Sequence, residues 1–353
     1  MGLDFLVVGA GLFGATCARR LADAGKRCLV IDKRSHVAGN CHTEWMNGFL
    51  VHGYGPHYFH TNDERVWAWV NRFGTWRTYV PRVKARAGGR VLSLPVNLMT
   101  LNQLWGVNTP EEALRVLEEK RLTVPGNDAE SQLLRTVGWE LYELLFRGYT
   151  RKQWGMDPSE LPASVVSRLP VRMTYDDSYH TAKYQAVPED GYTALVEAML
   201  EGIPVELETP YEGQLAKHTV YTGPLDTLYG YRYGKLDYRS LRFERELLSC
   251  DDHQGCAQMN YPDEGVPFTR VVEHRHIHGS RLPGTVITRE YPATDGEPYY
   301  PVPTDENLKR ARAYRQLAEA GGFFVGGRLG LYKYLDMDGA IAAALKLTDG
   351  LLS

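Results

Sequence analysis

The stretch "LDFLVVGAGLFGATCARRLADAGKRCLVIDKR", residues 3–34, decides the fold of this chain. An apolar run leads into Gly9, Gly11 and Gly14 in the spacing GxGxxG, and a helical stripe of alanine and leucine follows them. These glycines allow a tight turn, a close approach of the backbone to a pyrophosphate, and close packing of a helix on a strand. A second apolar run ends at Asp32, whose carboxylate can bind a ribose hydroxyl. The pattern predicts a βαβ unit that binds a dinucleotide, with a glycine turn in a plain βαβ unit as the alternative.

The residues after Asp32 indicate which dinucleotide this is. Residues 35–62, "SHVAGNCHTEWMNGFLVHGYGPHYFHTN", contain a histidine-rich loop where a regular NAD-binding half-domain would place its next helix. This extended start is similar to FAD-binding proteins of the glutathione-reductase type. Asn62, Asp63 and Glu64 then predict the beginning of a helix, because such side chains bind the free amides of a first turn.

Composition excludes several other classes of protein. At 353 residues the chain exceeds what one hydrophobic core usually supports, so we expect two or three domains. A formal net charge of −3 without long basic runs argues against a nucleic-acid partner. The absence of a leader-like start and of a long apolar run predicts a cytoplasmic protein without membrane insertion. The five cysteines form no CxxC pair, so we expect reduced thiols, and no metal site is predicted.

The rest of the chain contains several segments with different predicted secondary structure. Residues 78–95, "TYVPRVKARAGGRVLSLP", predict two strands around a Gly-Gly turn, and Thr109 with Glu112 predicts a capping box. Helical periodicity runs through 97–166, and β-like runs occupy 219–303, among them "TRVVEHRHI" at 269–277. The chain ends in a helix from about 305 to 320, a strand "FFVGGR" and a helix "MDGAIAAALKLTDGLL".

We therefore predict an α/β fold in which a Rossmann-like FAD-binding domain carries an inserted helical lobe and an antiparallel β-sheet domain. The FAD-binding domain is discontinuous and comprises residues 1–75, 188–218 and 304–353. The helical lobe, with a mobile substrate loop, spans 97–166. The antiparallel sheet domain comprises 76–96, 167–187 and 219–303.

Motifs along the whole chain resemble one known family. Besides the GxGxxG start they are "YGPHYFHTN" at 54–62, "RGYTRKQWG" at 147–155, "LPASVVSRLPVR" at 161–172, "YTGPLD" at 221–226, "FTRVVEHRH" at 268–276, "EPYYPV" at 297–302 and "GGRLGLYKYLDM" at 326–337. Their content and order resemble the UDP-galactopyranose mutases, which are flavin-dependent nucleotide-sugar mutases. Matches that span the chain are more specific than any single motif.

This resemblance implies an isomerase that interconverts UDP-galactopyranose and UDP-galactofuranose for cell-wall polysaccharide biosynthesis. The implied cofactor is FAD, active when reduced, with flavin N5 attacking the anomeric carbon and no net redox change. The implied partner is a UDP-sugar substrate, and a homodimer is compatible with the family. The residues identify neither the reductant nor the oligomeric state.

In the family two arginines hold the diphosphate, and Arg168 and Arg270 match them. As catalytic residues they would retain the departing UDP and stabilise the charge that develops on it. Surface ion pairs are the alternative for the arginines, and core or rim positions are the alternative for tyrosines. The resemblance adds four further residues to this substrate site, which are Tyr179, Tyr300, Tyr334 and Asp336.

The stretch "LLFRGYTRKQWGMDP", residues 144–158, gathers cationic and aromatic side chains. In the family the matching segment recognises uracil, which assigns base binding to Phe146 and Tyr149 and loop closure to Trp154. The cations Arg147, Arg151 and Lys152 are expected to provide a favourable field rather than direct contacts. The alternative is a helix end whose aromatics fill a core and whose cations face the helix dipole.

The resemblance assigns the remaining site residues to the flavin. His60 is a better candidate than His57 for a catalytic neighbour of the isoalloxazine, and a histidine satisfied by the backbone is the alternative. Gly326 and Gly327 would approach the pyrophosphate, and the start of the final helix would stabilise the reduced flavin anion. The predicted cofactor contacts are Gly9, Gly11, Leu12, Phe13, Gly14, Asp32, Lys33, Asn40, His57, His60, Arg328 and Asp338.

The sequence departs from the family pattern at Ala38, His180 and Ala186. Glycine is common at the first and third of these positions, and phenylalanine is usual at the second. His180 and Ala186 adjoin the expected substrate pocket, so they bear on the identity of the sugar or nucleotide. The alternatives are a mutase acting on UDP-N-acetylgalactosamine or a dTDP-deoxysugar, a flavin oxidoreductase on the same scaffold, and a catalytically silent FAD-binding module.

Overall fold

The computed structural model describes residues 2–167 and 169–353. The chain divides into two compact units. The first unit comprises Met1–Tyr79, Ala182–Tyr238 and Pro298–Ser353, and the second comprises Val80–Thr181 and Arg239–Glu297. Each unit is therefore assembled from segments that are distant in sequence.

The strands are β1 (Phe5–Val8), β2 (Cys28–Ile31), β3 (Thr43–Met46), β4 (Phe49–His52), β5 (Phe59–Thr61), β6 (Trp76–Thr78), β7 (Val83–Ala87), β8 (Arg90–Leu94), β9 (Tyr184–Pro188), β10 (Val205–Glu206), β11 (His218–Tyr221), β12 (Tyr238–Leu248), β13 (Gln258–Asn260), β14 (Arg270–Glu273), β15 (Thr285–Ala293), β16 (Tyr300–Pro301) and β17 (Phe323–Val325). The α-helices are α1 (Leu12–Asp23), α2 (Glu64–Val70), α3 (Leu98–Trp105), α4 (Pro110–Lys120), α5 (Ala129–Leu141), α6 (Gly148–Trp154), α7 (Gly191–Leu200), α8 (Leu225–Leu228), α9 (His274–His278), α10 (Asp305–Ala320), α11 (Gly327–Gly330) and α12 (Met337–Leu352).

The first unit is built on a five-stranded parallel sheet in the order β10-β2-β1-β11-β17. Its central strand β1 lies between β2 and β11, and its apolar residues are buried on both faces, as in most parallel sheets. Helix α1 packs against α7 and α12, with Ala15, Ala18 and Leu21 fully buried. The predicted α/β fold with a Rossmann-like domain is confirmed. Ligands of such sheets bind beyond the carboxyl ends of the strands, which is where the glycine turn lies.

The second unit contains a mixed sheet in which six strands follow the order β12-β15-β14-β13-β7-β8. Its neighbours are antiparallel, except that β13 pairs in parallel with β7. The predicted hairpin is confirmed, since Gly88 and Gly89 turn with φ of +55° and +75° between β7 and β8. The sheet is therefore predominantly, but not purely, antiparallel.

One predicted strand is wrong over its second half. The sequence predicts a strand over 269–277, but the strand ends at Glu273 and α9 follows from His274 to His278. His274 is buried with its Nε2 2.8 Å from Thr288 Oγ1, and Gly279 ends the helix with φ +68°. A distant hydrogen bond and a glycine cap thus override the β-like pattern.

Helices α3 to α6 of the second unit share a core of buried leucine, valine and alanine. The capping box predicted at Thr109 and Glu112 is confirmed at the start of α4. Gly138 interrupts α5 with φ +76°, and a Cβ there would lie 2.2 Å from the Lys120 carbonyl oxygen. A π-helical turn then spans Tyr142–Arg147 and leads into α6. Neither irregularity follows from the helical periodicity of the sequence.

The thiols agree with the expectation of reduced cysteines. All five cysteines are free, and burial raises the pKa of the Cys17, Cys28 and Cys41 thiols, which makes them unreactive. Among the described residues, no helix combines the length and apolar content needed to cross a membrane.

A buried carboxylate joins α9 to the loop before β13. Glu273 is fully buried and accepts the amides of His253 and Gln254 at 2.9 and 3.0 Å. His276 Nε2 lies 3.5 Å from Glu273 Oε2 and 3.3 Å from Asp252 Oδ1. Burial alone would raise the pKa of Glu273, but these hydrogen bonds lower it to about 2, and Glu273 raises the pKa of His276. The protonated histidine is therefore paired with a carboxylate that stays ionised.

We predict that His276→Gln lowers the free energy of unfolding at pH 6 by about 1 kcal/mol and hardly changes it at pH 9. The folded-state pKa of His276 lies above its usual value, so its stabilisation is complete below about pH 6.5 and disappears as the pH rises through the raised pKa. Urea unfolding at both pH values measures the difference. His253→Gln is the matched control, because that side chain is exposed and only its amide binds Glu273. An equal loss at both pH values would contradict the pairing.

Candidate functional site

The glycine turn after β1 is closed by backbone contacts that only glycine permits. Gly9 has φ +108°, and a Cβ there would lie 1.9 Å from Thr222 Oγ1. A Cβ on Gly14 would lie 1.9 Å from the Gly9 carbonyl oxygen. A Cβ on Gly11 would meet nothing closer than Gly39 Cα at 3.8 Å. Gly9 and Gly14 are thus required by internal packing, whereas the first unit leaves space beside Gly11.

The N-terminus of α1 presents backbone amides to this space. Among the described residues, no side chain caps its first turn. Leu12 and Phe13 are buried, and a Cβ on Gly326 would lie 1.9 Å from the Phe13 ring, so the C-terminal segment lies directly against α1. Amides at the start of a helix carry partial positive charge and suit a phosphate. Leu12 and Phe13 would therefore contribute through their amides, because their side chains belong to the core.

Asp32 is fixed at the same turn. Its carboxylate is buried and accepts the Ala10 amide at 2.7 Å and the Arg34 amide at 2.9 Å. A carboxylate offers about four lone-pair positions, so these two bonds leave acceptor capacity for a hydroxyl. Arg34 also donates to Asn40 Oδ1 at 3.0 Å, while Lys33 is exposed. The structure thus brings Asp32, Asn40 and the glycine turn together.

Ala38 returns the chain to this turn in a conformation that favours glycine. Its amide donates to the Ala10 carbonyl at 2.9 Å, and its φ is +71°. A non-glycine residue pays about 1–2 kcal/mol for this left-handed conformation, which explains why glycine is common here in the resembled family. A Cβ on Gly39 would lie 3.1 Å from Gly11 Cα, so the two backbones almost touch.

The two histidines predicted to face a flavin differ in how they are held. His57 belongs to its own loop, with Nδ1 2.9 Å from the Gly55 carbonyl and its amide donating to His52 Nδ1 at 3.0 Å. His60 lies half-buried on β5, opposite Gln185 of β9. His57 thus has contacts within its own loop, and the assignment of His57 and His60 to the flavin stays a prediction.

A second histidine pair was missed by the sequence reasoning. His36 and His42 stack with ring centroids 3.8 Å apart. His36 Nε2 lies 2.7 Å from Tyr54 Oη, and His42 Nδ1 lies 3.0 Å from Thr193 Oγ1. Their only sequence signal is membership of the histidine-rich loop. The pair borders the segment 38–40, so it lies close to the glycine turn.

Arg328 orders the C-terminal part of the first unit. Its guanidinium lies 4.6 Å from the Tyr334 ring centroid and 5.6 Å from that of Tyr300, and these two rings stack 6.1 Å apart. It also donates to the carbonyls of Tyr299 at 3.2 Å and Leu335 at 3.0 Å. The structure therefore brings Tyr300, Tyr334 and Arg328 together, with Arg328 holding the tyrosines.

The final helix begins immediately beyond this group. Asp336 is the N-cap residue of α12, and no described side chain caps the helix there. Asp338 accepts the Gly339 amide at 2.7 Å, one residue further on. The other amides of the first turn therefore remain available for an anion.

In the second unit Arg270 is anchored by a buried carboxylate. The two residues lie opposite each other on β14 and β15, with Arg270 Nε 2.6 Å from Glu290 Oε2. Glu290 is fully buried, and its Oε1 has no hydrogen-bond partner among the described residues. Burial raises the pKa of Glu290, and the Arg270 guanidinium opposes that rise. This pair is not a surface ion pair, while Arg168, the other predicted diphosphate ligand, lies outside the described residues.

Tyr179 is held through its main chain. Its amide donates to the Pro81 carbonyl at 2.8 Å, and Arg172 donates to the carbonyls of Ser178 and Tyr179. The His180 ring stands edge-on to the Tyr179 ring, with centroids 5.0 Å apart. The tyrosine is thus fixed in the backbone, with His180 as the neighbour of its ring.

The stretch 144–158 combines the π-helical turn with α6. Phe146 and Trp154 are partly buried and pack against the core of the second unit, and Tyr149 is half-buried on α6. Because a π turn contains an extra residue, it rotates every later side chain relative to α5. The orientation of Tyr149 and Trp154 therefore depends on this irregular turn.

The cations of this stretch have protein partners. Arg147 pairs with Glu143 at 2.5 Å, and Arg151 pairs with Asp157 and, at 3.1 Å, with Glu264. Lys152 donates to carbonyls of the segment 261–268. These contacts show direct structural roles where the sequence suggests only a favourable field.

Two effects of burial accompany these cations. Burial lowers the pKa of Lys152 to about 8, although nearby Asp263 and Glu264 oppose the shift. Arg239, which the sequence gave no reason to select, is buried and donates to the Gln153 carbonyl at 3.0 Å. A Cβ on Gly155 would lie 2.7 Å from that guanidinium, so the end of α6 is tightly enclosed.

Comparison with known proteins identifies the family. Residues 144–334 match the family described as UDP-galactopyranose mutase, and residues 7–73 match the NAD(P)-binding Rossmann-like domain. A protein of Klebsiella pneumoniae named probable UDP-galactopyranose mutase is 45% identical over 99% of this chain and 95% of its own length. The chain belongs to the UDP-galactopyranose mutase family. Family membership makes it a sugar mutase, an enzyme of the isomerase class.

Relatives of this mutase differ in the nucleotide sugar that their names contain. A dTDP-fucopyranose mutase of Escherichia coli is 41% identical over 97% of this chain and 96% of its own length. A UDP-galactopyranose mutase of Mycoplasma pneumoniae is 32% identical over 99% of this chain and 96% of its own length. The nucleotide and the sugar must therefore be argued from the residues.

Solved structures show the same fold. The crystal structure of a reduced UDP-galactopyranose mutase matches with a TM-score of 0.81, covering 100% of this chain and 94% of that chain at 16% identity. An oxidoreductase from Methanosarcina mazei matches with a TM-score of 0.60, covering 98% and 100% at 12% identity. This likeness supports the α/β fold. The reaction must be argued from the residues of the site.

We predict that Arg270→Ala lowers the free energy of unfolding by about 3 kcal/mol, because it leaves the Glu290 carboxylate buried without its partner. Adding Glu290→Gln should recover most of that loss, since the neutral amide needs no counter-charge. Urea unfolding of the two variants at pH 8 measures the effect. A loss of at most about 1 kcal/mol for Arg270→Ala would instead identify an ordinary surface pair.

Proposed function

We propose that the first unit binds FAD at the glycine turn. Three features support the fit: the space beside Gly11, the uncapped amides of α1, and the spare acceptor capacity of Asp32. The start of α12 would add amides that favour a reduced, anionic flavin. We propose as cofactor contacts Gly9, Gly11, Leu12, Phe13, Gly14, Asp32, Lys33, Asn40, His57, His60, Arg328 and Asp338.

The proposed reaction is the interconversion of UDP-galactopyranose and UDP-galactofuranose. When bound and reduced, FAD would supply a nucleophile for the anomeric carbon, its N5 atom, with no net redox change. The protein must hold UDP while the sugar ring opens and closes again in the other ring form. The observation that carries this proposal is Arg270, a guanidinium fixed on a strand by a fully buried carboxylate. Support also comes from the 45% identity to the Klebsiella pneumoniae relative.

Arg270 and Arg168 are proposed to bind the diphosphate. Two guanidinium groups would stabilise the charge that develops as UDP departs, and would retain UDP for its return. The stable double variant Arg270→Ala/Glu290→Gln isolates this role, and its turnover should fall on the order of 10²-fold. The remaining proposed contacts of the diphosphate and sugar are Tyr179, Tyr300, Tyr334 and Asp336.

The base is proposed to bind Phe146, Tyr149 and Trp154. Phe146 lies in the π-helical turn and Tyr149 and Trp154 lie on α6, which gives them defined orientations for stacking on a pyrimidine. A second candidate substrate is a dTDP-deoxysugar, because the Escherichia coli dTDP-fucopyranose mutase is 41% identical to the chain. Thymine differs from uracil by one methyl group, which an apolar slot distinguishes by only about 1–3 kcal/mol.

The decisive experiment incubates the dithionite-reduced protein with UDP-galactopyranose, UDP-N-acetylgalactosamine and a dTDP-deoxysugar, followed by separation of pyranose and furanose products. We expect furanose from UDP-galactopyranose without stoichiometric consumption of dithionite, and UDP should inhibit better than GDP because a pyrimidine slot misplaces a purine. Reductant consumed in step with product would identify an oxidoreductase. Preferential turnover of the dTDP-sugar would assign the second candidate.

We predict that Gly11→Ala folds normally but loses FAD. The new Cβ would meet only Gly39 Cα at 3.8 Å, and φ at Gly11 is −74°, so the fold accommodates alanine. The pyrophosphate, however, requires the space beside Gly11 that the new methyl group would fill. The measurements are the flavin absorbance of purified protein and the thermal midpoint. Gly350→Ala is the control, because nothing lies within 4 Å of its new Cβ. Full retention of FAD by Gly11→Ala would remove the proposed cofactor site.

A further inference from the structure

Lys152 makes an unusual set of contacts within the second unit. Its Nζ lies 2.5 Å from the Tyr261 carbonyl oxygen, 2.9 Å from those of Asp263 and Val266, and 3.1 Å from that of Phe268. An ammonium group has three protons, so four carbonyl acceptors must share them. The side chain is half-buried, which strengthens the attraction between the cation and the converging dipoles.

The four carbonyls belong to one closed loop. Residues 261–269 connect β13 to β14, and the Tyr261 amide donates to the Thr269 carbonyl at 2.8 Å to close the base of the loop. The Phe268 ring packs edge-on against Tyr261, with centroids 4.8 Å apart. Carbonyl oxygens that point at one position repel one another unless a cation occupies it. The conformation of this loop therefore depends on the Lys152 ammonium.

The loop also touches α6 at other points. A Cβ on Gly148 would lie 2.4 Å from the Pro262 carbonyl oxygen, so the helix and the loop meet at backbone distance. Arg151 adds an ion pair to Glu264 at 3.1 Å. Lys152 lies at the centre of this contact, since its Nζ binds carbonyls near both ends of the loop.

Each side of the contact leads to a proposed substrate residue. On α6, Lys152 lies between Tyr149 and Trp154 in sequence, and both are proposed to bind the base. On the loop, Phe268 is followed by Thr269, whose amide donates to the Glu290 carbonyl at 2.9 Å, and then by Arg270. Arg270 in turn is fixed by the Glu290 carboxylate. One ammonium group therefore joins the segment proposed for the base to the segment proposed for the diphosphate.

We propose that Lys152 is a positioning residue of this mutase, whose ammonium group sets the spacing between the base-binding residues of α6 and the diphosphate-binding Arg270. The inference rests on the proposed function. This role differs from simple anchoring. A change in spacing lowers the affinity for a ligand that contacts both the base-binding residues and Arg270, and does not change the affinity for a ligand that contacts only one of them. UDP occupies both, whereas uridine and inorganic pyrophosphate each occupy one.

The test compares the affinities of the FAD-loaded wild-type and Lys152→Met proteins for UDP, uridine and pyrophosphate. Methionine keeps a side chain of similar length and removes the positive charge. UDP affinity should fall at least about tenfold, while uridine and pyrophosphate bind within about twofold of wild type, because a linked ligand gains from two sites only when their spacing fits. Arg147→Met is the matched control. It removes a cation of the same stretch whose partner, Glu143, lies one turn earlier on the chain.

A rescue experiment separates positioning from a general loss of structure. Lys152→Ala removes the ammonium group and leaves room for a small cation, so ethylammonium chloride, which can draw the four carbonyls back together, should restore UDP affinity. Tetramethylammonium, which has no N–H group, should not. If Lys152→Met and Lys152→Ala do not fold, Lys152→Arg is the alternative variant. It keeps the positive charge, but its planar guanidinium group fits poorly at the single position on which the four carbonyl oxygens converge. We expect that variant to lose UDP affinity while its uridine and pyrophosphate affinities persist.

The outcomes distinguish this inference from the proposed function. If wild type binds UDP and Lys152→Met binds it equally well, the inference fails and the function stands. A parallel loss of all three ligands without rescue by ethylammonium would make Lys152 a general anchor, which also overturns the inference. A wild-type protein that does not bind UDP overturns both.

Discussion

The contact between Gly14 and the carbonyl group of Gly9 fixes how the first helix crosses the first strand, and the rest of the first unit depends on this crossing. A Cβ at Gly14 would lie 1.9 Å from that oxygen, so α1 crosses the end of β1 at a distance that no other residue allows. Helices α7 and α12 pack on α1 and take their positions from this crossing. The same crossing directs the first amides of α1 toward the turn whose Ala10 amide binds Asp32. Tight packing and nucleotide-binding geometry thus have one cause.

The second unit depends on buried charge. Glu290 and Arg239 are buried and Lys152 is half-buried, and each is compensated by a specific protein group. Arg239 binds the Gln153 carbonyl at the end of α6, where the helix dipole favours a cation. Most of the positive charge in the stretch 144–158 is therefore paired within the protein. A nucleotide ligand must rely on a few well-supported arginines, and Arg270 has the buried support that such a role needs.

Local chemistry accounts for what the sequence could predict. The glycine turn, the capping box at Thr109, the hairpin at Gly88 and Gly89 and the final helix each depend on residues within a few positions of one another. The errors and omissions involve distant partners instead. Helix α9 replaces a predicted strand because His274 binds Thr288, and β13 pairs in parallel with β7, which is remote in sequence.

The candidate site shows the same division. The resemblance to a family could select Arg270, but its partner Glu290 lies 20 residues away and the four carbonyls that bind Lys152 lie more than 100 residues away. No periodicity or spacing encodes such contacts. The π-helical turn before α6 is equally invisible, since its sequence has ordinary helical periodicity. The sequence could name candidate residues, and only the fold could show what fixes them.

His180 and Ala186, the two departures expected beside the substrate pocket, lie on or next to backbone that other residues fix. The main chain of Tyr179 is held by hydrogen bonds to the Pro81 carbonyl and the Arg172 side chain. A change at His180 therefore alters the neighbour of the tyrosine ring without moving the backbone. Ala186 is likewise fixed by β9, which pairs with β5 on one side and β6 on the other, and its small side chain is buried. An imidazole can donate or accept a hydrogen bond that a phenyl ring cannot, and selectivity is a difference between such contacts. Relatives named for a UDP-sugar and for a dTDP-sugar are 45% and 41% identical to this chain, so overall identity does not separate the two nucleotide sugars.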